Sequence, residues 1–370
     1  MNIAVLPWAE DVYENKMFTN VRGGADVYTR VCRETKAYFE SRGHRFETLD
    51  QYDNWDEVDW IILHTGAPLG KNMPELLKKG QENKLIYRAY EPEVVMPRHS
   101  RKKIKKLLNY YKYIITWNKD LVDDKRIFWN NISYIMKPEF GQIPFKERKL
   151  LVAIYSNKSS NIKLELYSLR RELFRYFEDY ANQFDLYGYG WSAEEFKNYR
   201  GIVDDKAGIY HTYRFAVAFE NEKDVAGYVT EKIFDCINAG VVPIYYGASD
   251  ICEYVPEDVF IDYRKFGDIG KLHRFLEQMD EDTWGNYIKA GRKYLALGQT
   301  DMVGVETYCR CLEKLMTKNP ANDIHCSTWH RMLFRVIGYW DIMTAMGYRK
   351  FLQKVWQKIN PWRKGKNHRG

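Results

Sequence analysis

The feature that most constrains this fold is an alternation, from the first residues, of short apolar runs with longer amphipathic stretches. Residues Asn2–Leu6 read as a strand, and Gly24–Ser41 as a helix with Val27, Tyr28, Val31, Tyr38 and Phe39 on one face. Strands at Phe46–Leu49 and Trp60–His64, a helix near Pro74–Glu82 and a strand at Lys84–Tyr90 continue the pattern. A lysine-rich helix (Arg101–Leu108) and a strand (Tyr113–Trp117) follow. Elements of these lengths in this order predict βαβ units and parallel sheets.

The segment Lys137–Lys149 interrupts the pattern with two prolines, a glycine and mixed charges, the composition of a linker. The pattern restarts with a strand at Leu150–Tyr155, a helix at Lys163–Tyr176 and strands near Phe184–Tyr187 and at Phe215–Phe219. A helix at Thr230–Ala239 and a strand at Val241–Tyr246 complete it. A chain of 370 residues has room for two domains. We expect Rossmann-like domains at 1–145 and 146–330 facing a cleft, followed by a basic amphipathic tail at 331–370.

No run approaches the ~18 consecutive apolar residues of a membrane-spanning helix. The N-terminus enters a strand directly, without the basic region and apolar core of a secretory leader, so a cytoplasmic location is expected. The six cysteines lack the spacing of a zinc or redox motif and read as ordinary thiols. Residues 341–370 hold eight Lys/Arg against one acidic residue, while residues 1–340 balance at 49 of each sign. A neutral body with a basic tail argues against a nucleic-acid partner and for an anionic surface as the tail's partner.

The richest stretch chemically is Phe219–Ile233, which joins a strand to a helix whose first turn holds Thr230, Glu231 and Lys232. Glu231 suits the positive end of a helix, but Lys232 opposes the macrodipole. An anion bound at that terminus would reconcile the two. Asn221, Tyr228, Glu231, Lys232 and the Gly247 loop all fall at the carboxyl ends of strands, where ligands of open α/β sheets gather.

Phe219-Glu-Asn221, Gly227-Tyr-Val-Thr-Glu-Lys-Ile233, Val242-Pro-Ile-Tyr-Tyr-Gly247 and Tyr254–Asp262 together resemble the donor-binding domain of the α-1,3/4-fucosyltransferases of glycosyltransferase family 10, bacterial type. The resemblance implies an α/β chain of the GT-B fold, GDP-fucose as donor, inversion at the anomeric carbon and no required metal or other cofactor. It implies donor contacts at Asn221, Tyr228, Glu231 and Lys232. The family's basic residue after a Ser-Asn strand end falls on Lys163, where an arginine is usual, and Lys158 is the alternative. Lysine does not reproduce the bidentate fork of arginine. Glu91-Pro-Glu93-Val resembles the family's Glu-x-Glu-Val segment, which implies Glu91 as catalytic base with Glu93 as its rival.

Read from position alone, Glu91 follows a strand, and Pro92 keeps it out of helical geometry. Tyr189, within Tyr187-Gly-Tyr-Gly-Trp191, is placed to stack on a base or sugar; Arg22-Gly-Gly24 is a candidate acceptor loop; His64 and His99 read as bystanders. The predicted activity is transfer of L-fucose to an oligosaccharide or lipid-linked glycan. The rival readings are a GT-B enzyme using another nucleotide sugar for surface polysaccharide and a non-catalytic glycan-binding or scaffold protein. In the tail, Tyr348, Phe351, Leu352, Val355, Trp356 and Ile359 recur at helical spacing among lysines, which predicts a helix lying on the anionic inner face of a membrane. A helix packed on the N-terminal domain is the alternative for that stripe.

Overall fold

The computed structural model describes residues 1–7, 10–19, 26–64, 72–180, 182–297, 303–318, 323–334 and 336. Arg22-Gly-Gly24 and the basic tail from 337 onward lie outside them.

The N-terminal half contains β1 (Asn2–Leu6), α1 (Asp26–Glu40), β2 (Arg45–Thr48), β3 (Trp60–Leu63), α2 (Asn72–Lys78), β4 (Leu85–Ala89), β5 (Tyr113–Thr116) and β6 (Ile127–Trp129). The second half contains β7 (Lys149–Ile154), α3 (Tyr167–Tyr176), β8 (Phe184–Tyr187), α4 (Lys206–Tyr210), β9 (Tyr213–Phe219), α5 (Glu231–Ala239), β10 (Val242–Tyr246) and β11 (Ile261–Asp262). Helices α6 (Ile269–Gln278), α7 (Glu281–Ala296) and α8 (Val305–Thr317) follow.

The strands of both sheets pair in parallel throughout the described residues, in the orders β2-β1-β3-β4-β5-β6 and β11-β10-β9-β7-β8. Each sheet is covered on both faces, so its strands are apolar throughout and alternate between two cores. Ala4, Leu6, Ile61 and Leu63 enter one N-terminal core, and Ile3, Val5 and Ile62 the other. In the second sheet Leu151, Ala153, Phe215 and Val217 enter one core, and Val152, Ala216 and Ala218 its opposite. In both sheets the connections reverse direction beside the first strand, between β1 and β3 and between β7 and β9. Such a reversal opens a crevice at the strand ends, the usual ligand position of doubly wound sheets.

Three expectations change. The lysine-rich stretch 101–108 is not an α-helix; Ile104–Asn109 forms 3-10 turns, in which only Ile104 and Leu107 are buried. The helix expected from Lys163 begins at Tyr167. The chain also leaves the second half before residue 330. Val305, Tyr308, Cys309, Leu312, Leu315 and Met316 of α8 join the core beneath α1, and Cys326 and Phe334 join the core on the other face of the first sheet. Their apolar faces match the N-terminal domain, to which Tyr38 adds a 2.8 Å hydrogen bond donated to Glu313. None of the six cysteines forms a disulfide.

Candidate functional site

A cavity of about 660 Å³ opens between the two domains at the carboxyl ends of both sheets. That volume is in the range of nucleotide and cofactor sites. The N-terminal domain lines it with Tyr28, His64, Arg88, Tyr90 and Glu91. The second domain contributes Tyr155, Ser156 and Lys158 after β7, Arg170 from α3, Tyr189 after β8, and Asn221, Tyr228, Glu231 and Lys232 around the start of α5. Among the described residues, five cations and three carboxylates line it.

The start of α5 explains its own lysine. Glu220, wholly buried, directs its carboxylate at the helix terminus and accepts from the Thr230 backbone N–H at 2.7 Å and the Thr230 hydroxyl at 2.7 Å. The Lys232 ammonium donates to Glu220 at 3.0 Å, to Thr230 Oγ1 at 2.8 Å and to Glu231 at 3.3 Å. The anion that reconciles a cation with this end of the helix is therefore the chain's own Glu220, and Lys232 is held as a preset charge. Burial works against the ammonium, but Glu220 and Glu231 outweigh it and keep it protonated. Burial also works against ionised Glu231, yet Lys232 and Lys206 hold that carboxyl at about 2. Its side chain stays 46% exposed, facing the cleft as a permanent acceptor.

Gly247 does not line the cavity. A side chain there would collide with Glu220 Cγ at 2.4 Å, so its role is to leave room for the buried carboxylate. Gly227, at φ 84°, brings the loop before α5 within 2.9 Å, measured to an added Cβ, of the Trp117 carbonyl in the other domain. Tyr228 follows it, buried against the Trp117 ring at 4.9 Å between centroids, and Asn221 Nδ2 donates to its hydroxyl at 3.2 Å.

Lys163 sits exposed in a turn and does not reach the cavity, whereas Lys158 does. Arg170, absent from the sequence reading, is almost wholly buried and donates through Nη2 to the carbonyls of Phe219 (2.6 Å) and Glu220 (2.5 Å) and to Asn221 Oδ1 (3.1 Å). It braces the end of β9 while its guanidinium lines the cleft; only its place on a helix after a Ser-Asn strand end could have flagged it. Lys206 closes the far wall, paired with Asp235 at 3.3 Å. Tyr189 is 46% exposed in its loop, free to stack on a ring, while Trp191 is core.

On the opposite wall, burial raises the Glu91 carboxyl, opposed by Lys158 and Lys232 from the second domain. His99 is not a bystander. Its Nδ1 donates to the Glu91 carbonyl at 2.6 Å, and its Nε2 accepts from the Tyr87 hydroxyl at 2.8 Å. Burial pushes this imidazole down to about 3, so it stays neutral and fixes the backbone that carries the carboxylate.

Glu93 lies outside the cavity, near Lys102 and Lys103. Its backbone faces Glu222 of the second domain, which is 4% exposed and raised to about 7, by burial first and by the Glu93 charge second. A carboxyl raised on folding binds its proton more tightly in the native state, so stability falls as pH rises from about 4.5 to 7. Glu222→Gln should therefore raise the thermal midpoint by roughly 2–4 °C at pH 8, and the gain should shrink towards nothing as the pH is lowered to about 4. Equal midpoints at pH 8, by calorimetry, would contradict this.

Among the described residues no three His, Cys, Asp or Glu side chains are grouped to hold a metal ion, and no helix is long and apolar enough to cross a membrane.

Comparison with known proteins gives a consistent result. The family model for the glycosyltransferase family 10 (fucosyltransferase) C-terminal domain matches residues 145–328. An alpha-(1,4)-fucosyltransferase of Arabidopsis thaliana is 35% identical over 115 residues, 30% of this chain and 28% of that protein. The 4-galactosyl-N-acetylglucosaminide 3-alpha-L-fucosyltransferase 9 of Mus musculus is 24% identical over 176 residues, 46% of this chain and 44% of its own length. The matches thus span less than half of either relative. A crystal structure of an alpha1,3-fucosyltransferase with GDP superposes with a TM-score of 0.54 at 13% identity, covering 88% of this chain and 92% of that one. The two domains and the cleft between them form the GT-B fold.

Proposed function

Because the chain belongs to glycosyltransferase family 10 through residues 145–328, we propose that it transfers L-fucose from GDP-fucose to a glycan hydroxyl with inversion. One observation carries this reading. A carboxylate from one domain and preset cations from the other line a single cavity and act on each other.

Glu91 takes the proton of the acceptor hydroxyl as that oxygen bonds to the anomeric carbon. The bond from that carbon to the β-phosphate oxygen breaks on the opposite face. Charge then grows on the GDP diphosphate, which Lys232, Lys158, Arg170 and Lys206 are placed to neutralise without reorganising. Glu231 accepts from the ribose hydroxyls, Asn221 and Tyr228 fix the donor, and Tyr189 stacks on a ring of it. Lys163 contributes at most long-range charge.

With four lysine and arginine side chains in this role, the reaction needs no metal, and turnover should persist in excess EDTA. Loss of activity that added Mg²⁺ restores would refute that. A panel of nucleotide sugars, scored by release of free nucleotide, tests the donor; faster turnover of any donor other than GDP-fucose overturns the assignment. The acceptor, an oligosaccharide or lipid-linked glycan, would be met at the inner membrane surface, to which the basic tail binds anionic lipid. Trp329, 64% exposed just before that tail, and Met332, 67% exposed at its start, support such a surface.

A further inference from the structure

We propose that the N-terminal half of the cleft contains an anion subsite built on Arg88, and that the acceptor bears a carboxylate or phosphate beside its reacting hydroxyl. The proposal rests on the transferase reading and names the substrate class of its acceptor side.

Arg88 sits on β4 three residues before Glu91 and is 4% exposed, yet its guanidinium lines the cavity. It lies over the rings of Tyr90 and Tyr308, at 4.5 and 4.2 Å from their centroids. Stacking of this kind holds the planar fork in one orientation. Beside it, His64 Nδ1 accepts from the Tyr28 hydroxyl and, at 3.3 Å, from Arg88 Nη1. Guanidinium has no acceptor, so these bonds put the His64 proton on Nε2. Burial, with Arg88 adding to it, holds the ring well below its usual range, which keeps it a neutral donor. Tyr28, His64 and Arg88 all line the cavity wall; with the Tyr28 proton engaged by His64, a guanidinium and an imidazole N–H are the donors that converge there.

This cation has no evident task in the chemistry already described. The cations that act on Glu91 are Lys158 and Lys232, and those placed for the diphosphate come from the second domain. Arg88 instead faces the acceptor side, where Glu91 is the only other charged residue of the N-terminal domain among the described lining residues. A guanidinium at low dielectric favours a planar or tetrahedral oxyanion over a neutral hydroxyl. Three residues of extended chain span about 10 Å, so the anionic group belongs to the fucosylated sugar or the one next to it.

The test is binding of three probes to the full chain saturated with GDP, by titration calorimetry. They are galactosyl-N-acetylglucosamine, its form oxidised to a carboxylate at galactose C6, and its galactose 6-phosphate. At least one anionic probe should bind tenfold or more tightly than the neutral one, and which one it is separates carboxylate from phosphate. Arg88→Gln should abolish the difference, Arg88→Lys should keep part of it, and GDP should bind both variants as it binds wild type. Equal or undetectable binding of all three by wild type overturns the proposal, as does a difference that survives in Arg88→Gln. Should Arg88→Gln lose GDP binding through misfolding, His64→Gln gives the same reading, with a reduced difference expected and an unchanged one overturning. A protein that discriminates these probes but does not consume GDP-fucose would sink the transferase reading and leave the subsite standing.

Discussion

Glu91→Gln should leave the second domain folded and GDP bound while lowering kcat by roughly 10²–10⁴-fold, the usual contribution of a positioned base. Glutamine preserves the volume of the side chain but cannot accept the hydroxyl proton. The backbone would stay in place, because His99 and Tyr87 hold the residue through its carbonyl and not its carboxylate. Burial raises the Glu91 carboxyl, with Lys158 and Lys232 resisting, and a base works only when deprotonated. Activity should therefore rise with pH through a point above the ordinary glutamate range, and Glu91→Gln should lose that limb. His99→Ala should produce a smaller loss, in kcat more than in KM, since it moves the carboxylate without removing it. The rival assignment has a clear signature. If Glu93→Gln collapses turnover and Glu91→Gln stays within a few-fold of wild type, the base has been misnamed.

The strands were legible because each sheet is covered on both faces, which makes runs such as Trp60–Leu63 and Tyr213–Phe219 apolar almost without a break. Where burial is partial or the element short, the pattern fails. Ile127–Trp129 has three residues and no period to read, and the lysines of 101–108 imitate an amphipathic helix in what are 3-10 turns. Helix α8 shows a second limit. Its apolar stripe says that it packs, but not that it packs across the molecule beneath α1.

The site divides in the same way. Asn221, Tyr228, Glu231 and Lys232 are consecutive or nearly so, and their strand–helix junction puts them at one strand end wherever the chain goes next. Arg170 and Glu220 act through distance. Arg170 crosses from α3 to the carbonyls ending β9, and the carboxylate of Glu220 is aimed by a glycine 27 positions later. Local periodicity records neither relation.

That aimed carboxylate sets the terms of the second large effect. Lys232→Ala removes the proposed phosphate contact, and it also leaves Glu220, with no solvent access, facing a helix terminus without its cation. Breaking a buried pair from one side typically costs about 3–5 kcal/mol, a large part of a domain's stability. The single variant should therefore melt well below wild type, and its loss of turnover would not by itself identify a phosphate contact. The double variant Lys232→Ala/Glu220→Gln separates the two effects. Its neutral amide oxygen can still accept from the Thr230 backbone N–H, now with no stranded charge, so most of the thermal stability should return. Donor chemistry should not return with it. GDP should bind roughly 10–100-fold more weakly than to wild type, the scale of a charge-assisted hydrogen bond, while guanosine binds as before. Equal losses for GDP and guanosine would place the defect in the fold of the pocket. Near-wild-type turnover in the double variant would mean that Lys232 only balances Glu220, and that Lys158, Arg170 and Lys206 carry the diphosphate without it.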